Sequence, residues 1–391
     1  MARWSTYARL VSSGAALLTL TSLVTSALAW AVDPEDVALI MGGTGNPDPI
    51  EAYIRDVDAN YIQVLYPGYT SLPQFTPEQG FPLTPNLGNL TFNQSVAKSV
   101  SDLDAGIRDH AGVGNNVVVF GYSQSATVAT EEMSALADKG NPYQGQLSFV
   151  LVGDPNNPNG GLFERFAGLY IPIFDETFSG ATAPDTPYPT DIYTVQYDGY
   201  ADFPQYPLNI VSDLNALAGA YEQHFQPVFQ QALDNTITPG SYPTLPGPRT
   251  AVPLPTSPDY YADGGQTHYY EILTQNLPLL APLRAIPIVG NPLAELIQPD
   301  LRVIVDLGYG GGYANVPTPA GLFPDVDLTT VLGELVTGAD QGVIAALVSI
   351  GALPSSDVPD LYPYLPSAEP PWVIAYPSAA VEFDPAAVLS S

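Results

Sequence analysis

The chain contains no cysteine. Disulfides, a thiolate nucleophile and Cys-ligated metals are therefore excluded, and cysteine usage says nothing about redox compartment. Histidine is almost as scarce, at three in 391 residues. Any imidazole-dependent chemistry must use His110, His224 or His268. Positive charge is also short: ten Lys and Arg stand against forty Asp and Glu, for a net charge of −30. No basic surface can be assembled to neutralise phosphates, which excludes a nucleic-acid partner, and the acidic excess reads as solubility. No HExxH or close histidine pair occurs, Asp325-Val326-Asp327 lacks an EF-hand context, and neither a Walker loop nor GxGxxG is present. No metal and no other cofactor is expected.

What is present is a sequence that folds. Hydrophobic residues make up 46% of the chain, too many for general disorder. The 41 prolines and 34 glycines indicate many ordered loops rather than low complexity. At the start, Arg3 and Arg9 precede an uncharged apolar stretch, Leu10 to Ala31, containing the small-x-small site Ala27-Leu28-Ala29. Residues 1–30 therefore read as a signal peptide or an uncleaved membrane anchor. Export follows, with the chain secreted, in the cell wall or on the outer face of the plasma membrane.

Residues 33–300 read as one α/β domain. Strands are expected at Val37–Met41, Tyr61–Leu65, Val117–Phe120, Leu147–Val152 and Asp191–Tyr197, with helices at Asn93–His110 and Ala126–Ala137. Strands alternating with helices and bounded by glycine turns indicate a mainly parallel sheet flanked by helices. Leu208–Asp234 reads as helical with a break at Pro227. The Pro-rich segments Pro67–Leu90 and Asp154–Pro189 read as loops, the second as a lid or substrate wall. Residues 301–391 form a Pro-rich and helical extension. Its apolar run Val343–Leu353 is too short to span a membrane and reads as core or as a hydrophobic cap.

The chemistry centres on Gly121-Tyr122-Ser123-Gln124-Ser125, set between a β-branched run and a helix. Such a bend exposes the Ser123 hydroxyl and aims the first helical N–H groups at charge forming beside it, the signature of a nucleophile. Ser125 stands where the usual GxSxG pattern has glycine. A serine nucleophile needs a base, an acid to orient it, and oxyanion donors. His110 precedes Ser123, against the order nucleophile, acid, histidine, and reads as a helix-end residue. His224 falls inside the expected helix, whereas His268 follows Gly264-Gly265 in an expected loop. His268 is therefore the favoured base. Asp202 is the favoured acid at the end of the Asp191–Tyr197 strand, with Asp198 as the alternative and Asp154 more remote. The backbone N–H groups of Gln124 and of Thr44, in the loop Gly43-Thr44-Gly45, are the expected oxyanion donors.

Four blocks in this order, Gly42 to Pro47, Gly121 to Ser125, Tyr197 to Pro204, and Thr267 to Tyr270 followed by Leu277-Pro278-Leu279-Leu280, resemble the PE-PPE domain of mycobacteria and related actinobacteria. The resemblance runs from about Val37 to Asp300. It implies a cutinase-like α/β-hydrolase fold and esterase or acyltransferase activity on envelope lipids. A signal-like segment stands where family members carry a PE or PPE module, as in stand-alone exported members linked to acylated trehalose lipids. The resemblance supports Ser123, His268 and an Asp of the 198–202 turn, without choosing between Asp198 and Asp202. An acyl ester or glycolipid substrate and association with membrane or envelope are implied. Water and a sugar hydroxyl remain open as acyl acceptors. A non-catalytic envelope-binding protein on the same scaffold is the rival of another class.

Overall fold

The computed structural model describes residues 35–225, 242–354 and 356. The apolar N-terminal segment and the break expected at Pro227 lie outside these residues. A seven-stranded sheet runs in the order β2-β1-β3-β4-β7-β9-β8. Its strands are β1 (Val37–Ile40), β2 (Thr70–Pro73), β3 (Val117–Tyr122), β4 (Leu147–Val152), β7 (Thr190–Val195), β8 (Val252–Pro253) and β9 (Thr267–Ile272). All neighbours pair parallel except β8, which closes one edge antiparallel to β9. Two short strands, β5 (Tyr170–Ile171) and β6 (Glu176–Thr177), form a separate hairpin.

The central strands are apolar on both sides because both sides are covered. Val117 and Val119 face one core with Leu103, Ile107, Val128 and Ala129. Val118 and Phe120 face the other, with Tyr53, Val57, Tyr61 and Tyr242. The first core is roofed by α2 (Phe92–Ala111) and α3 (Gln124–Asp138). Thr91 caps α2 through a reciprocal capping box with Gln94, which fixes where that helix starts. The second core is roofed by α1 (Glu51–Val57) and the turns that continue it.

Two expected elements differ. Tyr61–Leu65 is helical, a π turn Asp58–Ile62 followed by Gln63–Leu65. Its buried Tyr61 and Ile62 reach the sheet from a roofing helix, so the apolar pattern of a buried strand served a helix face instead. The second strand is β2, inside the segment read as loop. It pairs only with β1, and Pro73 is tolerated at that edge. Of the helix expected at Leu208–Asp234, the described part is α4 (Ile210–Gly219) and a π turn, Ala220–Phe225.

Beyond the C-terminal end of β7, a third core gathers Tyr197, Leu277, Leu280, Ala294 and Val305. It joins α4 to α5 (Gly290–Asp306), against which α6 (Leu328–Ser349) lies.

Candidate active site

Ser123 sits at the junction of β3 and α3 with φ of 58° and ψ of −120°. This strained backbone is the tight strand-to-helix turn read from the sequence, and it lifts the side chain above the sheet edge. Glycine is required at 121, where a Cβ would lie 2.6 Å from the Ser125 carbonyl oxygen. Ser125, the departure from GxSxG, has a structural role. Its hydroxyl accepts from the Tyr122 N–H at 2.8 Å and donates to the Tyr122 carbonyl at 3.1 Å, bracing the turn from inside.

The imidazole beside Ser123 is that of His224. Its Nε2 lies 2.7 Å from Ser123 Oγ, across 101 residues of sequence. Its Nδ1 lies 2.8 Å from Asp198 Oδ2. The three side chains are buried, at 6%, 1% and 0% exposure for Ser123, His224 and Asp198. Asp198 also accepts from the Tyr242 hydroxyl at 2.5 Å and from the Tyr200 N–H at 2.9 Å. Burial and the nearby Asp198 charge hold the Tyr242 hydroxyl far above its ordinary pKa, so it remains a donor. Tyr200 stacks on the His224 ring with centroids 4.8 Å apart, and the Tyr122 hydroxyl donates to the His224 carbonyl at 3.1 Å.

His224 reaches this position because α4 lies close against the acid turn. A Cβ on Gly199 would strike the Ala216 carbonyl, and one on Gly219 would strike that of Tyr197. With no side chain at either position, the helix settles onto the turn. The following π turn then swings its histidine over the sheet edge.

Two expected site residues are therefore corrected. His268 is the second residue of β9, paired in register with Asp191 near the start of β7. It lies toward the N-terminal edge of the parallel strands, whereas Ser123 follows the C-terminal end of β3. There His268 bonds Asp191 at 3.2 Å, which raises its pKa, and stacks on Tyr261. The segment Thr-His-Tyr-Tyr-Glu-Ile is β-branched and aromatic, and strand propensity placed it in the sheet rather than in a loop.

Asp202 does not meet either histidine. Its Oδ2 accepts from the Tyr197 N–H at 2.7 Å, closing the turn that presents Asp198. Burial pushes its carboxyl up to about 7, against the opposing pull of that N–H and of Arg165. Asp198, the alternative acid, is the residue in contact with the histidine. Asp154 is buried and bonded to Thr182 and the Asn156 N–H, and His110 lies near the end of α2. A signal for His224 was available in Pro227, three residues on, since proline disfavours an undisturbed helix past the histidine.

The two expected oxyanion donors border the serine. Gln124 opens α3, so its N–H has no intrahelical acceptor. The glycine loop after β1 presses on the turn, since a Cβ on Gly43 would lie 3.2 Å from Ser123 Cβ. Within that loop, Gly45 N–H bonds the Glu78 carbonyl at 2.8 Å and Asn46 N–H bonds that of Gly43 at 2.9 Å. Among the described residues the Thr44 N–H has no acceptor. The Gln124 side chain ties the same region together by donating to the Gln79 carbonyl at 2.9 Å.

The segment read as a lid is anchored: Asn93 N–H bonds the Asp175 carbonyl at 3.0 Å, and the Thr91 hydroxyl bonds the Asp175 carboxylate at 2.6 Å. Among the described residues no group of three or more His, Asp and Glu could hold a metal ion.

A parallel sheet with a strained serine turn and a Ser-His-Asp chain at its C-terminal edge is the architecture of the α/β-hydrolase class. The PE-PPE domain model matches residues 67–310, and the chain belongs to that family. PE family protein PE3 of Mycobacterium tuberculosis is 52% identical over 337 residues, covering 85% of this chain and 68% of that protein. Esterase PE16 of the same organism is 48% identical, covering 73% of this chain and 51% of that protein. Diacyltrehalose acyltransferase Chp2, also from M. tuberculosis, is 28% identical, covering 78% of this chain and 83% of that protein. The chain thus spans two thirds of the first relative's length and about half of the second's.

Proposed function

We propose that this protein is an exported serine esterase acting on acyl esters, with Ser123 as nucleophile, His224 as base and Asp198 as its orienting acid. The observation that carries the reading is the unbroken chain from Ser123 Oγ to His224 Nε2 and from His224 Nδ1 to Asp198 Oδ2. Ser123 gives its proton to His224 as its oxygen attacks the ester carbonyl. Asp198 holds the imidazole in the tautomer that accepts at Nε2 and stabilises the imidazolium that forms. The N–H groups of Gln124 and Thr44 receive the oxyanion. His224 then returns the proton to the leaving alcohol, and the acyl group stays on Ser123 until an acceptor takes it.

The identity of that acceptor defines a second reading, an acyltransferase of envelope glycolipids. It is favoured by similarity to a protein named diacyltrehalose acyltransferase and by the burial of Ser123, since excluding water lets a sugar hydroxyl compete. The intact relay argues against a scaffold kept only for binding.

Fluorophosphonate labelling tests the common step. Wild type is expected to be tagged and Ser123→Ala not; a folded wild type that fails to react sinks both readings. Product analysis on a p-nitrophenyl ester series, with and without a trehalose glycolipid acceptor, separates them. Hydrolysis insensitive to any acceptor removes the transferase.

A further inference from the structure

Helix α6 packs mainly through small residues and leaves many of its large apolar ones exposed. Gly338, Gly342 and Ala345 are buried with Val331. A Cβ on Gly338 would meet Asp300 and one on Gly342 the Leu296 carbonyl, so α6 lies backbone-close on α5. Leu328, Leu332, Val336, Val343, Leu347 and Ile350 are exposed, the first and third by 68%. At 3.6 residues per turn these six share an arc of about 100°. A helix stabilised in water does the reverse. Small residues at the helix contact and large apolar ones outside are what helices facing lipid show.

The same inversion continues on the neighbouring elements. On α4 and its π turn, Ile210, Leu214, Leu217 and Tyr221 are exposed at helical spacing. On α5, Leu293, Leu296, Ile297 and Ile304 are exposed. In the loop before α5, Ile288 is 92% exposed and holds φ at 71°, a left-handed conformation costly for a β-branched residue. Single exposed apolar side chains are ordinary, but many of them on helices that pack one on the next, α4 on α5 and α5 on α6, mark an interaction site.

We infer that this face docks on a lipid surface carrying no net charge. Among α4, α5 and α6 the only Lys or Arg is Arg302, which is buried. Attraction to anionic headgroups is thus unavailable, and a net charge of −30 repels a second copy of the chain. Burial of apolar area supplies the binding. Although α6 is long and apolar enough to cross a membrane by composition, Glu334 and Asp340 fall in its middle, which suits a helix lying in the interface. The α4 stripe ends three residues before His224, so the face borders the site that would take an acyl ester from that surface. This link rests on the esterase reading.

The cysteine-free chain makes the test clean. Leu332→Cys and Ile288→Cys, each labelled with the polarity-sensitive fluorophore NBD, are mixed with phosphatidylcholine vesicles beside Val113→Cys, which precedes β3 at the opposite sheet edge. Both face labels are expected to brighten several-fold and shift to the blue, unchanged by high salt, while the Val113→Cys label stays constant. Leu332→Asp with Val336→Asp should lower hydrolysis of a vesicle-borne ester several-fold and leave that of a soluble acetate ester intact. Silent face labels, an equal response at position 113, a response that needs anionic lipid, or a shift driven by protein concentration without vesicles overturns the inference. Ser123→Ala carrying the same labels keeps their response. A responding but inactive wild type would therefore defeat the esterase reading alone.

Discussion

Tyr242 and His224 meet on one atom, Oδ2 of Asp198, at 2.5 and 2.8 Å. The carboxylate is thereby held on two sides while its other oxygen takes the Tyr200 N–H. The Tyr242 oxygen is itself fixed by accepting the buried Val195 N–H at 2.9 Å. Tyr242→Phe is therefore expected to remove a donor from Asp198 and to leave that N–H unmet, costing about 1–3 kcal/mol of stability. Denaturant melts check the stability loss, and kcat should fall with little change in KM.

Exchanging the two candidate relays distinguishes them directly. His224→Ala and Asp198→Asn should each lower kcat by roughly 10⁴-fold, as loss of a triad member does elsewhere. His268→Ala and Asp202→Asn should retain most of the activity on a soluble ester, Asp202→Asn losing stability instead through the Tyr197 turn. Equal losses at His224 and His268 would refute the assignment.

The contact of α4 with the acid turn tolerates no side chain at Gly199. Gly199→Ala should push the helix away, destabilise the fold by about 1–3 kcal/mol and lower kcat by displacing His224. Rescue of activity by added imidazole would show the remaining parts intact.

Glu78 is fully buried, and the Thr76 hydroxyl beside it only partly offsets the loss of water around its carboxylate. Burial pushes its pKa up to about 8. Because the folded value lies above the unfolded one, the folded protein holds this proton more tightly. Stability is full below about pH 4.5 and is lost as pH rises through about 8. Glu78→Gln should flatten that decline, raising the melting temperature at pH 8 more than at pH 5. Since the Glu78 carbonyl accepts the Gly45 N–H in the loop beside Ser123, wild-type activity should fall only as the folded carboxyl ionises, near pH 8.

Much of this was legible along the chain. The β-branched run before Gly121 and the small-residue bend after it specify Ser123 because they are local: strand, turn and helix propensities act within a few residues. The parallel sheet followed from alternating elements, and the approach of the glycine loop after β1 and of the Gln124 N–H to Ser123 from the glycines and the helix start beside them. The absence of cysteine and the shortage of cations limited the chemistry before any fold was known. The order of serine, acid and histidine limited the base to His224 or His268 and the acid to a short turn. Tertiary structure alone chose within those pairs. His268 follows its β-branched and aromatic neighbours into a strand, at the wrong edge of the sheet. His224 leaves a helix whose approach depends on Gly199 and Gly219, residues that reveal nothing until their neighbours are in place. Propensity acts over a few residues, whereas the meeting of Ser123, Asp198 and His224 depends on packing between elements up to a hundred residues apart.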